Sequence, residues 1–273
     1  MRSADGTLTI RHAVALGLLQ GPSELLPISS SGHTTLLPWL VGWPYAELDG
    51  ELRKSFEVAL HAGAGLALAI EMRSELRAQA ADITRARVAL LALSVTPPAV
   101  AGFLLRGPIE RHLGGPRSVA AGLALGAVAM ALADRDTGGR TRTDVTEGDS
   151  LALGFAQASA LIPGVSRNGA TLTAARARGF DRQAAHTLSW EVALPVLLAA
   201  STLKGARLAR GIPAPMRGPL AAGAASAFFS TALSGSILRR RKSAPGALLP
   251  YAIYRCLLAA TVMAKLRCGE RRG

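Results

Sequence analysis

The chain has 273 residues and a formal net charge of +13, and 49% of its residues are hydrophobic. Apolar runs recur along its whole length, which disfavours a soluble domain. The basic residues fall in short clusters between those runs, as at Arg239–Lys242, which is typical of membrane loops that contact anionic head groups rather than of a nucleic-acid-binding face.

The first predicted element is a re-entrant hairpin over residues 11–43. Its apolar runs, Ala13–Leu19 and Leu36–Val41, are each too short to cross a bilayer, which takes about 20 residues as a helix. Between them lies a polar stretch, Gln20–His33, that is broken by Gly and Pro. Irregular backbone at membrane depth survives only where protein or a water-filled cavity surrounds it, so we expect this polar tip to line a site.

Three apolar spans follow the hairpin, and a polar segment then divides the chain. The Pro97-Pro98 pair should kink the middle span. Asp134–Ser150 is the most polar segment and the best boundary between halves. The three predicted spans are residues 55–72, 88–105 and 118–133.

The second half repeats the opening pattern. Leu151–Ile162 is a short apolar run that ends in a second Gly- and Ser-containing tip, Pro163–Thr171, which predicts a hairpin over residues 151–178. The tips align when Pro27 and Ser30 are set against Pro163 and Ser166. The spans that follow are predicted at residues 185–203, 219–238 and 247–265.

This pattern predicts an all-α polytopic membrane protein, a single integral domain over residues 1–273 built as an inverted-topology repeat. The first repeat covers residues 11–133 and the second residues 151–265, each with one re-entrant hairpin and three transmembrane helices. Because three crossings invert the second half, the two hairpins enter from opposite faces and their tips can converge near the midplane.

The two tips place opposite charges at membrane depth. A charge there costs about 2.5–3.5 kcal/mol on insertion scales, yet Glu24 lies in one tip and Arg167 in the other. A structural ion pair is one interpretation and a site for an anionic substrate is the other. Arginine matches phosphate oxygens bidentately, and both tips lead toward helix N-termini, which attract anions. Hydroxyls are also dense here, at Ser29, Ser30, Ser31, Ser166 and Thr171.

Two motifs carry a family resemblance. Gln20 and Glu24 followed by Leu-Pro-Ile-Ser-Ser-Ser-Gly-His33, and then Ile-Pro-Gly-Val-Ser-Arg-Asn-Gly-Ala-Thr171, resemble the signatures of the undecaprenyl-diphosphate phosphatase family, also called bacitracin-resistance proteins. The resemblance implies a hydrolase of the bacterial plasma (inner) membrane that converts undecaprenyl diphosphate into undecaprenyl phosphate for peptidoglycan synthesis. It also implies a divalent cation, magnesium or calcium.

The chain departs from the family pattern at two positions. Gln20 stands where the family usually has glutamate, and Asn168 where it usually has serine. A glutamine can still offer a carbonyl oxygen to a hard cation. We therefore expect an active enzyme in which Glu24 is the candidate metal ligand.

Phosphoryl transfer needs charge neutralisation and in-line placement more than covalent chemistry from the protein. We expect Arg167 to clamp the diphosphate, Ser30 to attack the terminal phosphorus, and His33 to act as acid or base. Glu24 would orient His33 or bind the cation. Schemes in which His33 or a water molecule is the nucleophile stay open. The predicted substrate-binding residues are Gln20, Ser29, Gly164, Ser166, Asn168 and Thr171.

A second functional class is a transporter or flippase for a lipid phosphate, because inverted repeats with broken helices are also a transporter architecture. Such a carrier has no evident need for Ser30 and His33 beside a carboxylate. The partners we expect are the lipid diphosphate and membrane lipids but no nucleic acid, and a homo-oligomer is compatible with this architecture. Glu191 and Arg255 are predicted to pair with each other or with Glu57, and the cluster Trp39, Trp43 and Tyr45 to anchor at the interface.

Overall fold

The structure is a computed structural model that describes residues 8–81, 83–135, 138–208, 214–240 and 246–270. The prediction of an all-α protein is confirmed, because no β-strand occurs in those ranges. The α-helices are α1 (Ile10–Leu25), α2 (Ser30–Val41), α3 (Gly50–Glu71), α4 (Arg73–Ala81), α5 (Arg85–His112), α6 (Pro116–Ala133), α7 (Glu147–Ser159), α8 (Arg167–Ala177), α9 (Arg182–Leu208), α10 (Ala214–Arg240) and α11 (Leu249–Glu270).

Four helices in the described part of the chain are long and apolar enough to cross a membrane. The qualifying segments are Arg85–Leu105, Pro116–Ala133, Pro215–Arg240 and Leu249–Gly269. The spans predicted at residues 55–72 and 185–203 lie in α3 and α9, which also carry charged residues and are not among the four. The protein is a polytopic membrane protein, and the inverted relation of its halves stays a prediction.

The helices form two compact units, and each unit combines helices from both predicted halves. The first unit contains α1, α3 and α10 together with α2 from His33 onward. The second contains the turn Leu26–Gly32, helices α5 to α8, α11 and α9 up to Val196.

In the first unit, α10 packs against α1 and α3 where small residues face one another. A side chain at Gly63 would collide with the backbone of Ala224, so the two helices touch backbone to backbone. Pro22 lies inside α1 and has no N–H to donate, which frees the carbonyl oxygen of Leu18 one turn earlier. The Ser230 hydroxyl of α10 donates to that oxygen at 2.5 Å, so the proline also joins the helices.

In the second unit, a carbonyl oxygen freed by a proline likewise forms a hydrogen bond between helices, here between α5 and α7. Pro97 and Pro98 lie inside α5, which continues through them to His112. Pro98 has no N–H for the carbonyl oxygen of Ser94, and the Gln157 side chain of α7 donates to that oxygen at 3.0 Å. The lost backbone bond is therefore replaced by a bond between helices, as buried backbone oxygens require at membrane depth.

The prediction that Tyr45 is an interfacial anchor is wrong. Tyr45 is 1% exposed and packs edge-on against Phe56 in the core of the first unit, with ring centroids 5.6 Å apart. Trp43 stacks on His12, with ring centroids 4.5 Å apart. A 3₁₀ turn at Pro44–Glu47 precedes α3, and Tyr45 in this turn and the neighbouring Trp43 supply core packing of the first unit.

The buried carboxylate of Asp149 holds the polar segment between the two predicted halves in place. Asp149 accepts hydrogen bonds from Arg140 at 2.5 Å and from Arg178 at 2.6 Å, and it caps the start of α7 with Thr146. Burial raises the pKa of Asp149, but the hydrogen bonds from Arg140 and Arg178 outweigh it and hold the pKa well below its usual value. The carboxylate is therefore ionised at neutral pH and fixes this segment to the ends of α7 and α8.

Candidate active site

The two polar tips are turns that enter a helix in the same way. Ser29 lies directly before α2 and Ser166 directly before α8, and both have positive φ, 77° and 37°. Each hydroxyl oxygen accepts a hydrogen bond from the backbone N–H three residues on, that of Gly32 at 3.2 Å and that of Gly169 at 3.1 Å. Both serines are therefore N-caps of the following helix.

This geometry shows which residues of the two tips are alike in local conformation. The sequence alignment set Ser30 against Ser166, whereas Ser29 is the residue of the first tip that shares the positive φ and the capping bond of Ser166. Ser30 then corresponds to Arg167, and each is the first residue of its helix. A positive φ has no signature at a serine, so this one-residue shift was not visible in the sequence.

Ser30 and Arg167 consequently lie at helix N-termini, where free N–H groups and the helix dipole attract anions. Both side chains are partly exposed. Gly164 precedes α8 with φ +97°, and a side chain there would collide with the backbone of Val119 in α6. Glycine at this position therefore lets the second tip lie directly on α6.

Asn168 and Thr171, in the first turns of α8, belong to a buried hydroxyl network. Ser189 of α9 donates to the Asn168 side-chain oxygen at 3.0 Å, and the Ser189 and Thr171 hydroxyl oxygens are 2.6 Å apart. Thr171 also reaches the backbone oxygen of Arg167 at 3.0 Å. The network fixes the N-terminal turn of α8, and with it Arg167, against α9. Ser189 was missed in the sequence because a lone serine in an apolar run usually bonds its own helix.

On α1 of the first unit, Gln20 and Glu24 are buried one turn apart. The Gln20 amide nitrogen donates to a Glu24 carboxylate oxygen at 3.3 Å. The imidazole Nε2 of His61, from α3, lies 3.7 Å from the same oxygen, while its Nδ1 is 2.8 Å from the backbone oxygen of Glu57. His61 therefore contacts the Glu24 carboxylate near the C-terminal end of α1. His33 is buried in the first turn of α2.

The residues around Glu24 fit a hard cation only in part. Gln20 is 0% exposed, and its side-chain oxygen has no hydrogen-bond partner among the described residues. That orphaned oxygen and the Glu24 carboxylate are ligands that magnesium or calcium accepts. No group of three or more His, Cys, Asp or Glu side chains suited to a metal occurs in the described ranges. A cation here would complete its shell with water and substrate oxygens, as magnesium commonly does.

The pairing predicted for Glu191 and Arg255 is wrong. Glu191 is bound by Arg87 and Arg142, each at 3.2 Å. Among the described residues, the Arg255 guanidinium instead contacts backbone carbonyl oxygens, those of Pro27, Gly122 and Gly164. Carbonyl partners carry no signal in a sequence, so only the fold could reveal them.

Comparison with known proteins extends over nearly the whole chain. The sequence profile of the family described as bacitracin resistance protein BacA matches residues 13–261. An undecaprenyl-diphosphatase of Geobacter sulfurreducens is 39% identical over 274 residues, which cover 95% of this chain and 99% of the relative. Undecaprenyl-diphosphatases of Pelobacter propionicus and Gemmatimonas aurantiaca are each 35% identical, covering 96% and 95% of this chain and 99% and 98% of the relatives.

Proposed function

The chain belongs to the bacitracin resistance protein BacA family, and we propose that it hydrolyses undecaprenyl diphosphate to undecaprenyl phosphate and inorganic phosphate. It is a membrane-bound phosphatase, and its substrate is a lipid diphosphate. The product is the lipid carrier used again in peptidoglycan synthesis, so the activity opposes bacitracin. The observation that supports this proposal best is the pair of serine-capped helix starts that carry Ser30 and Arg167.

Arg167 is proposed to bind the diphosphate. Its position at the first residue of α8 combines a guanidinium fork with the N-terminal N–H groups of the helix. Ser166 and Gly164 shape the turn that delivers it, and Asn168 and Thr171 hold that turn through Ser189. The Arg167 guanidinium and the N–H groups at the start of α8 neutralise the charge that spreads over the phosphoryl oxygens during transfer.

Ser30 is the proposed nucleophile. Its oxygen attacks the terminal phosphorus, and the bond from that phosphorus to the bridging oxygen breaks, so undecaprenyl phosphate leaves. His33 lies one helical turn along α2 and takes the serine proton, and water then releases phosphate from the serine. In the two alternative schemes the attacking group is His33 itself or a water molecule.

Glu24 is proposed to hold a divalent cation or to orient His33. The orphaned Gln20 oxygen beside it is the second protein ligand available on α1. When bound, such a cation would supply charge neutralisation at the phosphoryl oxygens. The Gln20 amide and His61 restrict the orientation of the Glu24 carboxylate.

The bacterial plasma (inner) membrane is the proposed location, with the apolar outer faces of the helices against lipid tails. Phe103 on α5, Leu125 on α6 and Phe229 on α10 are 86%, 71% and 68% exposed, as lipid-facing side chains are. Assembly of several copies is compatible with this location and changes none of the proposed roles.

The test is phosphate release from undecaprenyl diphosphate by purified protein in detergent, with and without a chelator. A hydrolase releases phosphate although there is no membrane to cross, whereas a transporter or flippase releases none. Ser30→Ala should lower kcat at least a hundredfold, while Ser236→Ala, which removes a hydroxyl that only back-bonds within α10, should not. Near-normal turnover of Ser30→Ala would eliminate the serine scheme, and no turnover by the wild-type protein would leave the transport alternative.

A further inference from the structure

Arg255 is the largest side chain among the fully buried residues of the described chain, and it is 1% exposed. It lies on α11, one of the four helices in the described ranges that are long and apolar enough to cross a membrane, where a charged side chain is costly. No carboxylate pairs with it among the described residues, and its Nε has no hydrogen-bond partner there. A buried, uncompensated cation of this kind needs an explanation beyond packing.

The guanidinium reaches the backbone of both polar tips. Nη1 lies 3.4 Å from the carbonyl oxygen of Pro27, in the first tip. Nη2 donates to the carbonyl oxygen of Gly164, in the second tip, at 3.0 Å, and lies 3.4 Å from that of Gly122 on α6. One rigid, planar group therefore bridges the turn before α2, the turn before α8 and the helix behind them.

Two glycines form the slot that holds the guanidinium. A side chain at Gly126 on α6 would collide with it, and the three nearest atoms all belong to Arg255. A side chain at Gly169 on α8 would lie 2.7 Å from Nη1. Because the N–H of Gly169 also donates to Ser166, the slot adjoins the cap of the second tip.

We propose that Arg255 is a positioning residue that sets the two tips relative to each other, and so places Ser30 and Arg167 for phosphoryl transfer. It acts through the carbonyl oxygens and not by touching the substrate. The catalytic part of this inference rests on the proposed function, whereas the positioning part concerns the tips alone. A misplacement of about 1 Å between reacting groups can cost a hundredfold in rate, so loss of the bridge should appear in kcat.

The first experiment compares Arg255→Lys with Arg255→Met by hydrogen exchange and by steady-state kinetics. Lysine keeps the charge but lacks the fork that reaches Pro27 and Gly164 together, so both variants should behave alike. We expect amide exchange to rise at least tenfold in both tip peptides, residues 26–32 and 162–170, and to stay unchanged in α10. We expect kcat to fall at least tenfold while KM stays within threefold of the wild-type value.

The second experiment moves the guanidinium without removing it. Gly126→Ala should reproduce the exchange and kcat changes, and in the double variant Gly126→Ala/Arg255→Met it should add nothing to the effect of Arg255→Met. The matched control is Gly102→Ala on α5, where the nearest side-chain atom to a new Cβ is 3.9 Å away and no effect is expected. If Arg255→Met does not fold, Gly126→Ala still tests the bridge.

The inference is overturned if Arg255→Lys matches the wild-type protein, if exchange rises at only one tip or at neither, or if the Gly126 and Arg255 effects simply add. A wild-type protein that releases no phosphate would instead refute the proposed function. In that case the exchange measurements alone would still decide whether Arg255 bridges the tips.

Discussion

The strained serine of the second tip predicts an unusual order of stabilities. Ser166 has φ 37° and caps α8. Ser166→Ala loses the cap, worth about 1 kcal/mol, and keeps a side chain in a left-handed conformation that costs roughly 1–2 kcal/mol. Ser166→Gly also loses the cap but relieves that strain. Part of this gain is offset, because glycine adds about 0.5–1 kcal/mol of conformational entropy to the unfolded chain. Glycine should therefore be more stable than alanine here by about 0.5–1 kcal/mol.

Thermal unfolding in detergent measures this order, since 1 kcal/mol corresponds to roughly 2–4 °C in Tm for chains of similar size. Ser166→Asn should remain closest to the wild type, because asparagine both caps helices and tolerates positive φ. The control is Ser236, inside α10, where alanine should exceed glycine by about 1 kcal/mol. If alanine were also the more stable residue at position 166, the strained-cap geometry of this tip would be refuted.

Two further predictions follow from buried polar contacts. Gln157→Leu leaves the Ser94 carbonyl oxygen without a donor and should lower the free energy of unfolding by about 1–3 kcal/mol. The loss should be much smaller in a Pro98→Ala background, because the new backbone amide at position 98 can donate to that oxygen. An equal loss in both backgrounds, measured by thermal unfolding, would contradict this. The pKa of Asp149 is depressed in the folded state, so its contribution to stability is present above the unfolded value of about 3.9 and is lost as the pH falls through the folded pKa. Asp149→Asn should therefore lower Tm at pH 7 and lower it progressively less in acid, and a Tm difference that does not change with pH would contradict this.

Much of the architecture could be predicted because burying polar residues at membrane depth costs free energy. The short apolar runs around Gln20–His33 predicted a turn between two helices, and the helices α1 and α2 flank a turn there. Glycine and proline likewise marked the turn before Arg167. The Pro97-Pro98 pair predicted a kink, which stays a prediction, and α5 continues through both residues. The bond from Gln157 to the Ser94 carbonyl oxygen depends on the packing of α7 against α5, which no local pattern encodes.

The sequence predicted which residue types form the candidate site better than it predicted the contacts that these residues make. Ser30 and Arg167 were singled out by charge and hydroxyl density, yet their equivalence depends on positive φ angles at Ser29 and Ser166. Ser189 and Arg255 make hydrogen bonds to elements distant in the sequence, so their sequence neighbours do not indicate these contacts. That Glu24 and Arg167 act on the same diphosphate stays a prediction.

The most direct measurement is a kinetic double-mutant cycle between the two tips, with Ser30→Ala and Arg167→Ala and undecaprenyl diphosphate as substrate. Residues that act as one catalytic unit have strongly non-additive effects on kcat/KM. If both tips act on one diphosphate, the double variant should be little worse than the worse single variant, with each protein still folded. Losses that multiply, or retained activity in Arg167→Ala, would show that the tips do not work together on the phosphoryl group.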